Sequence, residues 1–266
     1  MNGAPELERI QHLEEVMGTV VTFDLFVPEE VERGAIFPQL SRARASLHHA
    51  EAVFSIWKLD SPMSLLRRGE ASLGEMPPEV AQVLEHCAAA KRLSRGFFDP
   101  WAMPGGVDPT GYVKGWAAQR ALDLLRPLPL VGAIVNAAGD IACFGGPEPG
   151  QQFRVGIADP SAKGRLTAIA RVEHSIATSG TSERGEHLLN PMTGERQAAS
   201  TSASVTGPDL GMADALATAL AVAGPEGLEI LAAIPDYEGY LIAEDGQHLS
   251  TDGFPFTEVG LPTLRR

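Results

Sequence analysis

The chain is short of several things that would have simplified its reading. It has two cysteines, Cys87 and Cys143, in 266 residues. Two thiols cannot by themselves build a zinc cluster, and the pattern reads as a pair of reduced, buried side chains. Positive charge is scarce as well: 21 Lys+Arg stand against 34 Asp+Glu, a net charge of −13. A chain so acidic repels nucleic acid and anionic lipid unless its cations are concentrated, and no run of five Lys or Arg occurs. Neither is expected as a partner, and any anionic substrate needs its charge offset by a cation or by backbone N–H groups. The apolar runs are too short to cross a bilayer. The acidic opening, MNGAPELERIQHLEEV, has no apolar signal-peptide core, so the expected location is cytoplasmic. Four familiar motifs are missing too: GxxxxGK[ST], GxGxxG after a strand, HExxH and GxSxG.

What is present is an ordinary globular composition, 44% hydrophobic and 21% charged, long enough to bury a substantial core. With no internal repeat and no linker, the expectation is a loose polar lead-in over residues 1–16 and one domain over 17–266. Thr19 to Phe26 is rich in β-branched and aromatic residues and reads as a strand ended by Pro28. Leu40, Ala43, Leu47, Ala50 and Phe54 recur at helical spacing between Pro38 and Phe54, and KLDSPMS after them reads as a turn. Val80, Val83, Leu84, Cys87 and Ala90 form a second stripe over 78–95, with Gly96 as its stop. The segment 96–111 is loop, though too rich in aromatics and Asp to be a spacer.

A helix is expected over 112–125, then short strands at 133–137 and 141–144 about a turn at Gly139-Asp140. Further strands are expected at 153–158, 166–172, 175–178 and 202–206, and helices at 212–223 and 227–233. A final hairpin, 239–243 with 247–250, turns on Glu244-Asp245-Gly246. Mixed order with strands clustered in the middle indicates an α+β fold, its central and largely antiparallel strands flanked by helices.

Several constellations carry possible chemistry. Asp214 and Thr218 stand four residues apart on one helix, so both oxygens project from one face. A carboxylate with a hydroxyl suits a hard cation such as Mg²⁺; the alternative is an Asp favoured by the helix dipole and a Thr bonded back to a carbonyl. His187, before the turn signal Asn190-Pro191, suits a general base or a plain loop histidine. Thr178-Ser179-Gly180 offers hydroxyl and backbone donors to a phosphate, or a turn. Asn136-Ala-Ala-Gly139-Asp140 offers a close backbone approach to a ligand, or a hairpin turn. In a chain only 6% aromatic, Trp57, Phe97, Phe98, Trp101 and Trp116 gather in or beside loops, where they either stack a planar ligand or pack.

Taken in order, these pieces form a series: Met17-Gly-Thr; Phe54-Ser-Ile-Trp57-Lys-Leu-Asp60-Ser61-Pro-Met-Ser64; Gly96-Phe-Phe98-Asp99-Pro100; Asp108-Pro-Thr-Gly-Tyr-Val-Lys114-Gly115-Trp-Ala117; Val135-Asn136-Ala-Ala-Gly139-Asp140; Ile176-Ala-Thr178-Ser179-Gly180; His187-Leu-Leu-Asn190-Pro191-Met-Thr193-Gly194; and Ala213-Asp214-Ala-Leu-Ala-Thr218. The series resembles the FAD:protein FMN transferases, the ApbE-type flavin transferase family, over residues 17–243. The resemblance implies an ApbE-like α+β fold and a Mg²⁺-requiring reaction. FAD is split at its pyrophosphate, FMN is attached through its phosphate to a Thr or Ser hydroxyl of an acceptor flavoprotein, and AMP is released.

By position, the resemblance makes Asp214, Thr218 and the main-chain carbonyl of Ala117 metal ligands, and His187 the base for the acceptor hydroxyl. It puts Met17, Trp57, Phe97, Phe98, Asp99, Lys114, Leu189 and Ala217 along the FAD site, with Thr178, Ser179 and Gly180 near the phosphates. The chain departs from the family pattern in a short loop after Asp99, in Ala138 for a glycine, and in Asn190 for an aspartate beside His187. Hydrolysis of FAD to FMN and AMP, or flavin binding without catalysis, would use the same residues.

Overall fold

The acidic opening of the chain is a strand. In the computed structural model, which describes residues 6–162, 164–180, 189–195 and 202–257, β1 (Leu7–Val16) pairs antiparallel with β2 (Thr19–Pro28) along its whole length, from Leu7↔Pro28 to Val16↔Thr19. Met17 and Gly18 both take positive φ, 55° and 69°, the two-residue turn whose twist matches that of paired strands. The expectation of a loose lead-in is therefore corrected over residues 7–16. Its sequence conceals the strand because only Ile10 and Val16 are buried, and the rest carries the charge that protects a sheet edge from unwanted pairing.

Beyond this hairpin the sheet continues through β3 (Gly132–Ala137), β4 (Asp140–Gly145), β7 (Ser175–Gly180), β8 (Ser202–Gly207), β9 (Glu238–Ile242) and β10 (His248–Ser250). Its order is β1-β2-β3-β4-β7-β8-β9-β10, while β5 (Phe153–Ala158) and β6 (Leu166–Val172) form a separate two-stranded ribbon. Every neighbouring pair is antiparallel. The expected mixed α+β arrangement is the observed one.

Both faces of this sheet are covered. On one, Val21, Phe23 and Leu25 of β2 join Val135, Ala142, Ala177 and Val205 beneath α1 (Arg33–Phe54), α3 (Pro78–Leu93), α4 (Thr110–Asp123) and α5 (Leu210–Ala223). On the other, Ile141, Cys143, Ile176, Tyr240 and Ile242 meet Phe153, Ile157 and Val172 of the ribbon and Phe254. Central strands buried on both sides read as short continuous apolar runs rather than as alternating ones, which is why β4 was legible. Cys87 lies in the first core and Cys143 in the second; both are free and buried, and burial pushes each thiol up to about 12.

Two helices differ from expectation. α1 starts at Arg33 and carries Pro38 inside it, where the missing N–H removes one intrahelical bond. The turn-like KLDSPMS opens α2 (Pro62–Arg67), with Ser61 Oγ accepting from Ser64 N at 3.0 Å and Pro62 in the first turn. That is a helix-start signature, but six residues are too few to show a period. A last helix, α6 (Pro225–Leu231), follows α5 after Gly224. Among the described residues no helix is long and apolar enough to cross a membrane.

β1 is bolted to α1 through Glu14, whose carboxylate pairs with Arg44 and accepts from His12 Nε2 at 2.8 Å and His48 Nε2 at 2.7 Å. These bonds, that of Arg44 first, bring the carboxyl down from 4.5 to about 2. A group whose folded pKa is depressed stabilises the fold fully above its unfolded pKa and loses that contribution as pH falls to the folded one. Denaturant midpoints should therefore fall between about pH 4.5 and about pH 2, and Glu14→Gln should flatten that part of the profile while lowering stability at neutral pH.

Candidate active site

The site grows from the place where α4 and α5 touch. α5 is built of small residues (Gly211, Ala213, Ala215, Ala217, Ala219, Ala221) that are buried nearly all round, so its neighbours approach to backbone distance. On α4 the matching small residue is Gly115: a Cβ there would stand 2.5 Å from the Leu210 carbonyl oxygen and 3.1 Å from Asp214 Cβ. This contact lets the Gly115 N–H donate to Asp214 Oδ2 at 3.2 Å, which fixes a carboxylate only 3% exposed.

Lys114, the residue before, brings an ammonium to the same place. Its Nζ pairs with Asp140 and lies 3.9 Å from Asp214 Oδ2. Asp140 is fully buried and opens β4 immediately after a turn in which Ala138 and Gly139 take φ of 52° and 95°. Asn136 Oδ1 accepts from Gly139 N at 2.8 Å to close that turn. The Asn-x-x-Gly-Asp segment is thus a hairpin turn, as one of its two readings held, and it also delivers an acid to the site.

Asp140 Oδ1 accepts from Thr178 N at 3.1 Å, and this brings in β7. Thr178 Oγ1 shares a hydrogen bond with Ser204 Oγ (2.8 Å), and Ser179 Oγ shares one with Thr218 Oγ1 (3.1 Å). Thr218 stands one helical turn after Asp214, as its spacing required. Gly111, in the first turn of α4, lies between that hydroxyl and the Phe98 ring: a Cβ on it would be 3.2 Å from Phe98 Cε2 and 3.8 Å from Thr218 Oγ1. Of the expected residues, Lys114, Phe98, Thr178, Ser179, Asp214 and Thr218 are therefore linked by direct contacts or by one intervening residue. Ala117 and Ala217 are buried on the two helices that form the contact, and Gly180 is the last residue of β7.

The remaining expected residues sit further out. Phe97 lines a small apolar cavity with Leu216, Ala219 and Leu220 of α5. Asp99 spends its carboxylate locally, accepting from Trp101 N at 3.0 Å and pairing with Lys91 at 2.6 Å. Met17 N donates to Glu51 Oε1 at 2.9 Å, and the other Glu51 oxygen pairs with Lys58 at 2.7 Å. Trp57, beside Lys58, is 86% exposed. Leu189 is half-buried, next to a turn in which Asn190 Oδ1 accepts from Met192 N at 2.9 Å. His187 lies outside the described residues. Sequence reasoning gave no role to Asp140, Gly115 or Ser204; the signal for Asp140 was an acid placed directly after a glycine turn and before an apolar strand.

The donors here are carboxylate and hydroxyl oxygens, a set that fits a hard divalent cation better than a soft one. Among the described residues no group of three or more His, Cys, Asp and Glu is placed to hold a metal. A cation at Asp214 would need hydroxyl, carbonyl or substrate oxygens to complete its shell, and Thr218 supplies a hydroxyl on the same face.

A family model described as the ApbE family matches residues 17–105 and 104–241. Over 181 residues the chain is 32% identical to the FAD:protein FMN transferase of Rhodobacter capsulatus, a stretch covering 59% of this chain and 34% of that protein. The chain thus spans about a third of that relative's length. Among solved structures, the flavin transferase ApbE of Vibrio cholerae superposes with a TM-score of 0.77 at 18% identity, covering 94% of this chain and 99% of that one. The Pseudomonas stutzeri flavinyl transferase ApbE superposes with a TM-score of 0.73 at 19% identity, covering 94% and 96% of the two chains. At such identities the likeness speaks for the fold.

Because the α4–α5 contact carries the site, widening it should be costly. Gly115→Ala is expected to lower stability by about 1–3 kcal/mol through overpacking, read as a drop in the denaturant midpoint at unchanged slope. An unchanged midpoint would show that the two helices have room to spare.

Proposed function

The chain belongs to the ApbE family, and on that premise we propose that it is a Mg²⁺-dependent FAD:protein FMN transferase acting on a Thr or Ser hydroxyl of an acceptor flavoprotein. The observation that carries this reading is the α5 face. Asp214 and Thr218 stand together on it, with the Lys114 ammonium 3.9 Å from the Asp214 carboxylate and Ser179 against Thr218. An acidic chain of net charge −13 that takes an anionic pyrophosphate must gather positive charge at one point. Here a lysine and an oxygen donor set suited to a cation occupy the same few ångströms.

In this reading Asp214, Thr218 and the Ala117 carbonyl hold the cation. When bound, it would neutralise pyrophosphate charge and polarise the phosphorus–oxygen bond to be broken. Phosphoryl transfer leaves a protein mostly positioning and charge stabilisation to perform. Lys114 brings a fixed ammonium to the phosphates, and Thr178 and Ser179 bring hydroxyls. Phe97 and Phe98 give the flavin end apolar surface. His187 accepts the proton of the acceptor hydroxyl as its oxygen bonds to the FMN phosphorus. The bond from that phosphorus to the bridging oxygen breaks, and the oxygen departs with AMP.

Incubation of the pure protein with FAD, Mg²⁺ and a candidate acceptor domain tests the proposal. Flavin fluorescence that survives SDS on the acceptor, with AMP released in step, is the expected result. AMP without labelling would make the protein a hydrolase, and intact bound FAD would make it a binder. Asp214→Ala should bring AMP release to background. His187→Ala should leave FAD bound but unreacted in an equilibrium dialysis measurement; loss of binding instead would give that histidine a structural role.

A further inference from the structure

Four described residues other than glycine take positive φ, and two of them, Met17 and Ala138, sit in the turns of the hairpins β1–β2 and β3–β4. Strand register carries both turns to one end of the sheet. Val21 lies opposite Ala137, Ala137 opposite Asp140, Ile141 opposite Ile176 and Thr178 opposite Ser204. The Met17 turn therefore shares its end of the sheet with Asp140, Thr178 and Ser179. A methionine is strained at this φ, where Asn or Gly would not be, and such strain persists only where the surroundings hold it.

What holds it is Glu51, in the last turn of α1. Its Oε1 accepts from Met17 N at 2.9 Å, and its Oε2 pairs with Lys58 Nζ at 2.7 Å. One carboxylate thus ties the Met17 turn to the loop that follows α1. The same loop is tied at its root: Ser55 Oγ accepts from Trp57 N (3.3 Å) and Lys58 N (3.2 Å), and Ser64 Oγ donates to the Ser55 carbonyl at 3.1 Å. Trp57, 86% exposed, is in consequence an open ring on a fastened backbone, available for stacking. Lys58 is half exposed, and an ion pair so open to water adds little to stability. Its effect is to set where the loop stands.

We propose that Glu51 is a positioning residue for the flavin, fixing the Met17 turn and the Trp57 loop relative to one another so that they present one preformed wall to the isoalloxazine ring. The inference rests on the FAD reading above, in which Met17 and Trp57 line the site and Glu51 has no role. A wall ordered beforehand spares the flavin the cost of ordering it on binding.

Flavin fluorescence anisotropy, read at once on mixing FAD and Mg²⁺ with increasing protein and no acceptor, gives the affinity. Wild type is compared with Glu51→Ala, Trp57→Ala and the double variant. Glu51→Ala should weaken FAD binding about 5-fold or more, the effect of leaving one large side chain to be ordered on binding. In the Trp57→Ala background the same change should cost distinctly less, because part of what Glu51 orders is gone. A merely structural role would give the full loss in both backgrounds. Unchanged affinity in Glu51→Ala, or losses that simply add, overturns the proposal. Should Glu51→Ala fail to fold by circular dichroism, Lys58→Met decides, since it frees the loop and leaves the Met17 bond. A loss of FAD affinity that vanishes in the Trp57→Ala background supports the proposal; unchanged affinity, or a loss that persists there, overturns it. A wild type that binds no FAD overturns the flavin reading itself, whereas FAD binding that Trp57→Ala weakens and Glu51→Ala leaves intact overturns this inference alone.

Discussion

The structure depends on one shared charge. Lys114 of α4 bridges Asp140, on the sheet, and Asp214, on α5, and so a single ammonium joins three elements far apart in sequence. Buried carboxylates are tolerated only when they are paired or fully hydrogen-bonded. Asp140 meets that condition through Lys114 and the Thr178 amide, and Asp214 is held by the Gly115 N–H. The packing around them is arranged to make these bonds possible. Alanines and glycines on α4 and α5 bring backbone to backbone, and the two covered faces of the sheet hold β4 and β7 where Asp140 and Thr178 meet.

Antiparallel neighbours along the sheet serve the same end. Each strand is close in sequence to its partner for much of the chain, so the hairpins β1–β2 and β3–β4 are local objects that set register through their turns. The site draws on the end of one hairpin (Asp140), on β7 (Thr178, Ser179), and on the two helices laid over them. The mixture of rigid strand ends and close-packed helices suits a reaction in which the protein mainly positions charged groups.

The legible part of the fold was that in which burial is two-sided or strictly periodic. β3 and β4 announced themselves because their apolar runs, residues 133–135 and 141–144, are continuous, and α5 because it is almost wholly apolar up to Gly224. β1 did not, because an edge strand rich in charge and poor in β-branched residues gives little strand signal while still pairing along its backbone. α2 escaped because six residues give no period, although Ser61-Pro62 marked its start. Within the site, Asp214 and Thr218 could be placed on one face from spacing alone. Asp140 could not be joined to Lys114 in that way, because nothing local ties residue 140 to residue 114; the pairing exists only once β4 lies beneath α4.

The two cysteines carry a practical consequence. Cys87 and Cys143 are sealed in separate cores, with burial pushing both thiols up to about 12, so at neutral pH neither offers a thiolate to an electrophile. A cysteine engineered onto the surface would thus be the one fast-reacting thiol in an otherwise native background, and a single dye or spin label can be attached without first stripping out the natural pair.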